Sequence, residues 1–263
     1  IRCNMLLAID VGNTNIKYGI FDGARLAASF RVASHVKKTA DEYGAVLTNL
    51  LGTSGIKLAD IDGVILSSVI PSLNYTICHM CEYFFGIKPI VVGPGVKTGL
   101  NVKADNPREV GSDIIVNSVG AYKKYGGPVV VIDFGTATTF DVITAKGELV
   151  GCIIAPGMKT ALESLVAGTA QLPMIELEAP KSVLGKNTET AMQAGIVFGM
   201  AGLVENIIRK IRKETGWTDI KVVATGGMAK LIREEVTCID AVDRTLTLEG
   251  LKTVYDLNKK AEA

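Results

Sequence analysis

The sequence predicts a duplicated α/β fold, with two mixed sheets each flanked by helices. Three observations predict it. Strand-like alternation and helix-like periodicity interleave along the 263 residues. The pattern Ile9-Asp10-x-Gly12 returns as Ile132-Asp133-x-Gly135, close to half a chain later. Each copy follows a short apolar run and precedes small hydroxyl or amide residues and then another strand. A repeat this long, without tandem copies, reads as a duplicated fold rather than a solenoid.

The elements follow in order. Alternation marks strands at residues 6–9, 15–21 and 26–32, and helical spacing marks about 40–51. A strand at 63–69, a helix at 72–85 and a strand at 89–92 complete a β-β-β-α-β-α-β run. Residues 93–107, "GPGVKTGLNVKADNP", are rich in Gly and polar residues and read as a connector. A helix is expected just after Pro107, because proline suits a helix's first turn. Residues 128–143, "PVVVIDFGTATTFDVI", form the second strand-turn-strand unit, followed by a strand at 148–154 and a helix. "IKVVATGGMAKLI" reads as strand, Gly-Gly turn and helix. The helical run 189–214 has small residues that allow close packing, either in a dimer or as a buried helix of the same chain. The boundary is expected near 105–125, with one domain over 1–115 and a second over 116–263.

Composition narrows the function classes. Hydrophobic residues make up 48% and charged residues 21%, enough for a large core. Lys plus Arg is 28 against 27 Asp plus Glu, so nothing in the charge calls for nucleic acid or an anionic membrane as a partner. The apolar runs are strand-length, short of a membrane span. No signal-peptide pattern opens the chain, and Met5 reads as the natural start. Five scattered cysteines read as reduced thiols, with a cytoplasmic location expected. Cys78-His79-Met80-Cys81 has no second ligand pair at metal-site spacing, so its residues are read as ordinary helix residues.

The paired turns carry the chemistry. Phosphates need backbone N–H donors and close approach, which Gly12 and Gly135 permit. Asn13, Thr14, Asn15, Thr136, Thr138 and Thr139 add side-chain donors. A carboxylate repels phosphate but binds the cation that neutralises it, so Asp10 and Asp133 fit metal-linked roles. Lys17, pointing back to its turn, would neutralise phosphate charge; a solvated strand lysine is the alternative. Thr225-Gly226-Gly227-Met228 fits a third contact, where a base or ribose lies on the backbone, or a plain strand-to-helix turn.

The sequence resembles the acetate kinase, sugar kinase, Hsp70 and actin superfamily, and more narrowly the type III pantothenate kinases. The residues that carry this are "DVGNTN" (10–15), "GPGVKTGL" (93–100), "NPREVGSD" (106–113), "DFGTATT" (133–139), "PG" (156–157), "AGTAQLP" (167–173), "GKNTETAMQAG" (185–195) and "ATGG" (224–227). The resemblance implies two ribonuclease H-like halves, as in actin-like ATPases, with a central ATP cleft. It implies transfer of the γ-phosphoryl group of ATP to the terminal hydroxyl of pantothenate, the first step of coenzyme A synthesis. It also implies a homodimer that needs Mg²⁺ and a monovalent cation, K⁺ or NH₄⁺.

By motif, Asp10, Val11, Gly12, Asn13, Thr14, Asn15, Ile16 and Lys17 would bind the ATP phosphates, with Asp10 meeting Mg²⁺ directly or through water. Thr136, Gly226 and Gly227 would contact ATP, and Asp133 would hold the monovalent cation. Gly111, Ser112, Asp113, Ile114 and Thr188 would line the substrate site, Thr188 in the neighbouring subunit's site. Asp113 would be the general base. Carboxylates are weak bases at neutral pH, so its implied work is to orient the hydroxyl and take its proton late.

The chain departs from the family pattern twice. The usual Gly-x-Asp-Arg reads Gly111-Ser112-Asp113-Ile114, and a tyrosine that many members carry is replaced by Ala104. The arginine is expected to hold pantothenate's carboxylate, which isoleucine cannot do. Lys103, Lys97 or Arg108 could take its place, the substrate could be a pantothenate relative without that charge, or catalysis could be lost. The first is favoured, because Asp113 and the dimer-associated motifs are kept. A nucleotide-binding regulatory or accessory protein is the alternative from another class, although no basic DNA-binding stripe is evident. An actin-like mechanochemical ATPase would need large insertions for which the chain is too short.

Overall fold

The computed structural model describes residues 4–259, and the chain divides into two compact units. Within the described residues the first comprises 4–100, 105–123 and 246–259, and the second 101–104 and 124–245.

The first unit is built on a five-stranded sheet. β1 (Met5–Val11), β2 (Asn15–Asp22) and β3 (Arg25–Ala33) form consecutive antiparallel pairs. β4 (Ile61–Ser68) lies parallel to β1, and β5 (Ile90–Val91) parallel to β4, giving the order β3-β2-β1-β4-β5. α1 (Ala40–Thr53) opens with a reciprocal capping box between Thr39 and Glu42, which satisfies two backbone donors at the helix start. α2 (Pro71–Phe85) starts on a proline and stops at Gly86, whose positive φ of 67° ends the helix. Leu7, Ile9, Ile16, Tyr18 and Ile20 of the strands bury against Tyr43, Leu47, Leu51, Leu73 and Ile77 of these two helices.

α3 (Ser112–Tyr125) and α7 (Leu246–Lys259) complete this unit, apart from the last two residues of α3. α7 packs on β1, β4 and β2. Gly63 of β4 leaves the room that the Tyr255 ring fills, and Gly19 of β2 faces Leu248. α3 and α7 cross at Gly120 and Gly250, where a side chain on Gly250 would run into the Val116 carbonyl. Thr247 Oγ1 donates to Asn117 Oδ1 across the same crossing, at 2.8 Å.

The second unit repeats the plan. β7 (Val129–Phe134), β8 (Ala137–Ile143) and β9 (Glu148–Pro156) are antiparallel neighbours, while β10 (Lys221–Gly226) and β11 (Ala241–Val242) run parallel beyond β7. The order β9-β8-β7-β10-β11 matches β3-β2-β1-β4-β5, strand for strand and direction for direction. The duplication expected from the two Asp-x-Gly turns is therefore present in the strand order itself. β6 (Asn101–Val102) adds a sixth strand beside β9. α4 (Met158–Ala167), α5 (Thr188–Thr215) and α6 (Ala229–Glu235) flank this sheet. Val130, Ile132, Phe134, Phe140 and Val142 meet Val197, Val204 and Ile208 of α5 and Ile232 of α6 in its core.

Several expectations need correction. Pro107 opens a single 3₁₀ turn, Pro107–Glu109, and α3 begins only at Ser112. The connector 93–107 contains β6, whose two residues are too few to show alternation. The first unit does not stop at residue 115. It keeps α3 to Lys123 and takes back the chain from Leu246, because Leu248, Leu251, Val254 and Tyr255 of α7 are buried in it. Not every apolar run is strand-length. α5 is long and apolar enough to cross a membrane by length and composition, with 44% of that stretch buried within the fold. Cys78, Cys81, Cys152 and Cys238 are free thiols, whereas Cys3, with the other residues before Met5 apart from Asn4, lies outside the described residues.

Candidate active site

The first turn joins β1 to β2, and its geometry follows from the ladder register. Asp10 lies opposite Lys17, and Val11 opposite Ile16. Gly12 N–H donates to the Asn15 carbonyl at 3.0 Å, so the chain doubles back tightly. The end of β3 holds the turn from outside. Ser34 Oγ donates to the Gly12 carbonyl at 2.6 Å, and Ser34 N–H to the Thr14 carbonyl at 3.0 Å. Asn13 and Thr14 are exposed at the tip. Val11 and Ile16 bury their side chains in the core, so only their backbones can reach a ligand. Asp10 is 7% exposed, and its carboxylate meets the Lys17 ammonium at 3.3 Å. Lys17 thus reaches across the hairpin to Asp10. One carboxylate two residues before the Gly12 turn suits Mg²⁺, which keeps several waters and takes its other ligands from phosphate oxygens.

The second turn joins β7 to β8 and is one residue shorter, with Phe134 opposite Thr138. Gly135 N–H donates to the Ala137 carbonyl at 3.0 Å. Asp133 faces Thr139 on one side and Thr225 of β10 on the other. Gly226 takes a φ of 92°, and a Cβ there would stand 2.6 Å from Asp133 Oδ1 and from the Phe134 carbonyl, so this contact requires glycine. Gly227 N–H donates to that same carbonyl at 3.2 Å. The start of α4 closes on Thr136, whose carbonyl accepts from Gly157 N–H at 3.0 Å and Thr160 Oγ1 at 2.7 Å. The structure therefore brings Asp133, Thr136, Gly226 and Gly227 together at one end of the sheet. Beside them opens a pocket of about 330 Å³, lined by Gly226, Gly227, Lys230, Leu231, Glu234, Val242 and Arg244. That volume falls in the range of small-ligand sites. Lys230, Glu234 and Arg244 were not singled out from sequence, since only the fold gathers them around the Gly-Gly turn.

The remaining candidates lie at the start of α3. Ser112 Oγ accepts from Ser67 Oγ at 3.0 Å and Ser68 N–H at 3.1 Å, and donates to the Ser68 carbonyl at 3.0 Å. Ser67 is the register partner of Asp10 in β4, so the first turn of α3 is stapled beside the Asp10 turn. With its hydroxyl committed to the fold, Ser112 serves this staple. Asp113 is half-buried, folds back over Gly111, and accepts from Ile114 N–H at 2.9 Å. Ile114 is 9% exposed. Thr188 is exposed at the first position of α5, after the N-cap Asn187. Cys78 and Cys81 lie on α2 away from these residues, and burial pushes both thiols up from their ordinary range. Among the described residues no group of three or more His, Cys, Asp or Glu side chains forms a metal cluster.

The sequence matches the type III pantothenate kinase family over residues 6–210. It is 54% identical to the type III pantothenate kinase of Moorella thermoacetica over 254 residues, covering 97% of this chain and all of the relative. The chain belongs to the type III pantothenate kinase family. Among solved structures, this kinase-family chain resembles one described as a conserved Baf family transcriptional activator from Campylobacter jejuni. The TM-score is 0.60 at 18% identity, over 97% of this chain and 99% of the other. The ethanolamine utilization protein EutJ of Carboxydothermus hydrogenoformans gives 0.57 at 16% identity, over 95% and 89%. The polyphosphate/ATP-glucomannokinase of an Arthrobacter strain gives 0.50 at 15% identity, over 98% and 99%. At these identities the three structures establish the shared fold of the pantothenate kinase family member, a duplicated α/β architecture.

Proposed function

We propose that the chain transfers the γ-phosphoryl group of ATP to the terminal hydroxyl of pantothenate, giving 4'-phosphopantothenate for coenzyme A synthesis. The observation that carries this reading is 54% identity to a pantothenate kinase over 97% of this chain, joined to an intact Asp10 turn beside which Ser112 staples the helix start that bears Asp113. Phosphoryl transfer depends on positioning and charge neutralisation. The backbone of 10–17 cradles phosphate oxygens, and Lys17 carries positive charge at their edge. Mg²⁺, held through Asp10, would neutralise the phosphates, and K⁺ or NH₄⁺ would sit at Asp133. Thr136, Gly226 and Gly227 contact the nucleotide, and the adjoining pocket takes the nucleoside end. Asp113 orients the acceptor hydroxyl and receives its proton, while Gly111 gives the substrate access and Ile114 packs beneath it.

A cytoplasmic homodimer fits this reading. Met174, Val183 and Leu184 are more than half exposed in the stretch leading to Thr188 and α5, as expected of apolar residues that a second copy covers. Thr188 would then reach the partner's substrate site. The buried Ile114 also motivates a second reading, a catalytically altered relative acting as a nucleotide-binding accessory protein or on a pantothenate-like substrate. The test is ADP release with ATP, Mg²⁺ and K⁺. The kinase reading expects release to require pantothenate and to yield phosphopantothenate. No pantothenate-dependent release would remove that reading and favour the second.

A further inference from the structure

We propose that Arg108 binds the substrate's carboxylate, the role that the buried Ile114 cannot perform; this rests on the pantothenate kinase reading above. Pantothenate carries its acceptor hydroxyl and its carboxylate at opposite ends. An anion placed against an apolar residue with no cation nearby would be strongly disfavoured. Ile114 is 9% exposed and apolar, and the Ser112 hydroxyl is spent on Ser67 and Ser68. Neither offers a positive partner beside Asp113.

Arg108 is the sole Lys or Arg between positions 104 and 122. It stands exposed on the 3₁₀ turn that leads into Gly111, and within the described residues it makes no ion pair. The neighbouring carboxylate of Glu109 accepts from Asn106 Nδ2 at 2.6 Å and, within the described residues, forms no ion pair with Arg108. Pro107 restricts the turn backbone. Asp113 lies five positions after Arg108, so their Cα atoms are at most about 18 Å apart. Of the two other cations on this segment, Lys103 has its charge paired and Lys97 has its backbone anchored elsewhere. The Lys103 ammonium lies 3.7 Å from Glu148, in the second unit. The Lys97 peptide is clamped on both sides by Asn258, at 3.0 and 2.9 Å, which fixes it to the last turn of α7. A guanidinium also matches a carboxylate in two parallel hydrogen bonds, which an ammonium cannot do.

The test compares KM and kcat for pantothenate and for its alcohol analogue, which keeps the acceptor hydroxyl and lacks the carboxylate. Wild type, Arg108→Ala, Arg108→Lys and Lys97→Ala are each assayed with ATP, Mg²⁺ and K⁺. Loss of one charge-assisted contact should raise the pantothenate KM of Arg108→Ala by about 10- to 100-fold. The KM for the alcohol should move far less, and Arg108→Lys should recover part of the loss. An unchanged pantothenate KM in Arg108→Ala, an equal loss for both substrates, or a loss confined to Lys97→Ala would overturn the assignment. Wild type inactive on both substrates would instead remove the kinase reading itself.

Discussion

Replacing Gly250 by alanine tests whether the α3–α7 crossing sets the position of the Asp113 helix. In an isolated helix this change stabilises by about 1 kcal/mol, because glycine's backbone freedom is removed. Here the added methyl would run into the Val116 carbonyl, with Val116 C at 2.9 Å and Cγ1 at 3.0 Å. Two of those atoms are α3 backbone and the third belongs to a stiff β-branched side chain, so none can swing aside cheaply. Overpacking of this kind costs about 1–3 kcal/mol. Set against the helix gain, the net expectation is a loss of up to about 2 kcal/mol. A shift of α3 also moves Asp113, so kcat should fall with stability. Gly52→Ala in the last turn of α1 is the control, because nothing lies within 4 Å of its added methyl. It should be neutral or stabilising by up to about 1 kcal/mol. Urea melts of the three proteins provide the assay. A Gly250→Ala midpoint equal to or above wild type would refute the reasoning.

Two further expectations concern buried polar anchors. Asp243 is 6% exposed and accepts from Lys124 Nζ at 2.7 Å, Tyr125 OH at 2.9 Å, and Thr245 N–H and Oγ1 at 3.0 Å each. Burial disfavours its charge, but these hydrogen bonds outweigh burial and hold its pKa below the ordinary 3.8. A depressed folded pKa adds stability that is present above the unfolded value and lost as pH falls through the folded one. Asp243→Asn should therefore lose about 1–3 kcal/mol near neutral pH, with the gap to wild type closing below about pH 4; a gap independent of pH in acid melts would contradict this. Tyr43 OH, on a side chain 1% exposed, donates to the His35 carbonyl and accepts from His35 N–H, both at 2.9 Å. Tyr43→Phe should cost about 1–2 kcal/mol in urea melts and raise proteolysis in the 34–39 loop, and an unchanged midpoint and cleavage rate would count against it.

The strands were legible because each sheet buries one face or both, which leaves alternating or continuous apolar runs in the sequence. The duplication was legible because its two turns need the same residue types, Asp10 with Gly12 and Asp133 with Gly135. Elements defined by distant partners were not. α7 is received by Gly19 and Gly63, far away in sequence, and its role in the first unit cannot be read from Leu246–Lys259 alone. β6 is two residues that pair with β9. The site shows the same division. Asp10 and Lys17 face each other because hairpin register dictates it. The Ser112 staple depends on Ser67 and Ser68, and the pocket beside Gly226 depends on Lys230, Glu234 and Arg244, whose meeting is purely tertiary.

The most direct measurement is the turnover of Asp113→Asn with ATP, Mg²⁺, K⁺ and saturating pantothenate, alongside its nucleotide affinity. Asparagine keeps the shape and still accepts from Ile114 N–H but cannot take the hydroxyl proton. The account predicts a fall in kcat of about 10²- to 10⁴-fold with nucleotide affinity within about threefold of wild type. Turnover close to wild type would contradict the placement of the reacting hydroxyl at Asp113.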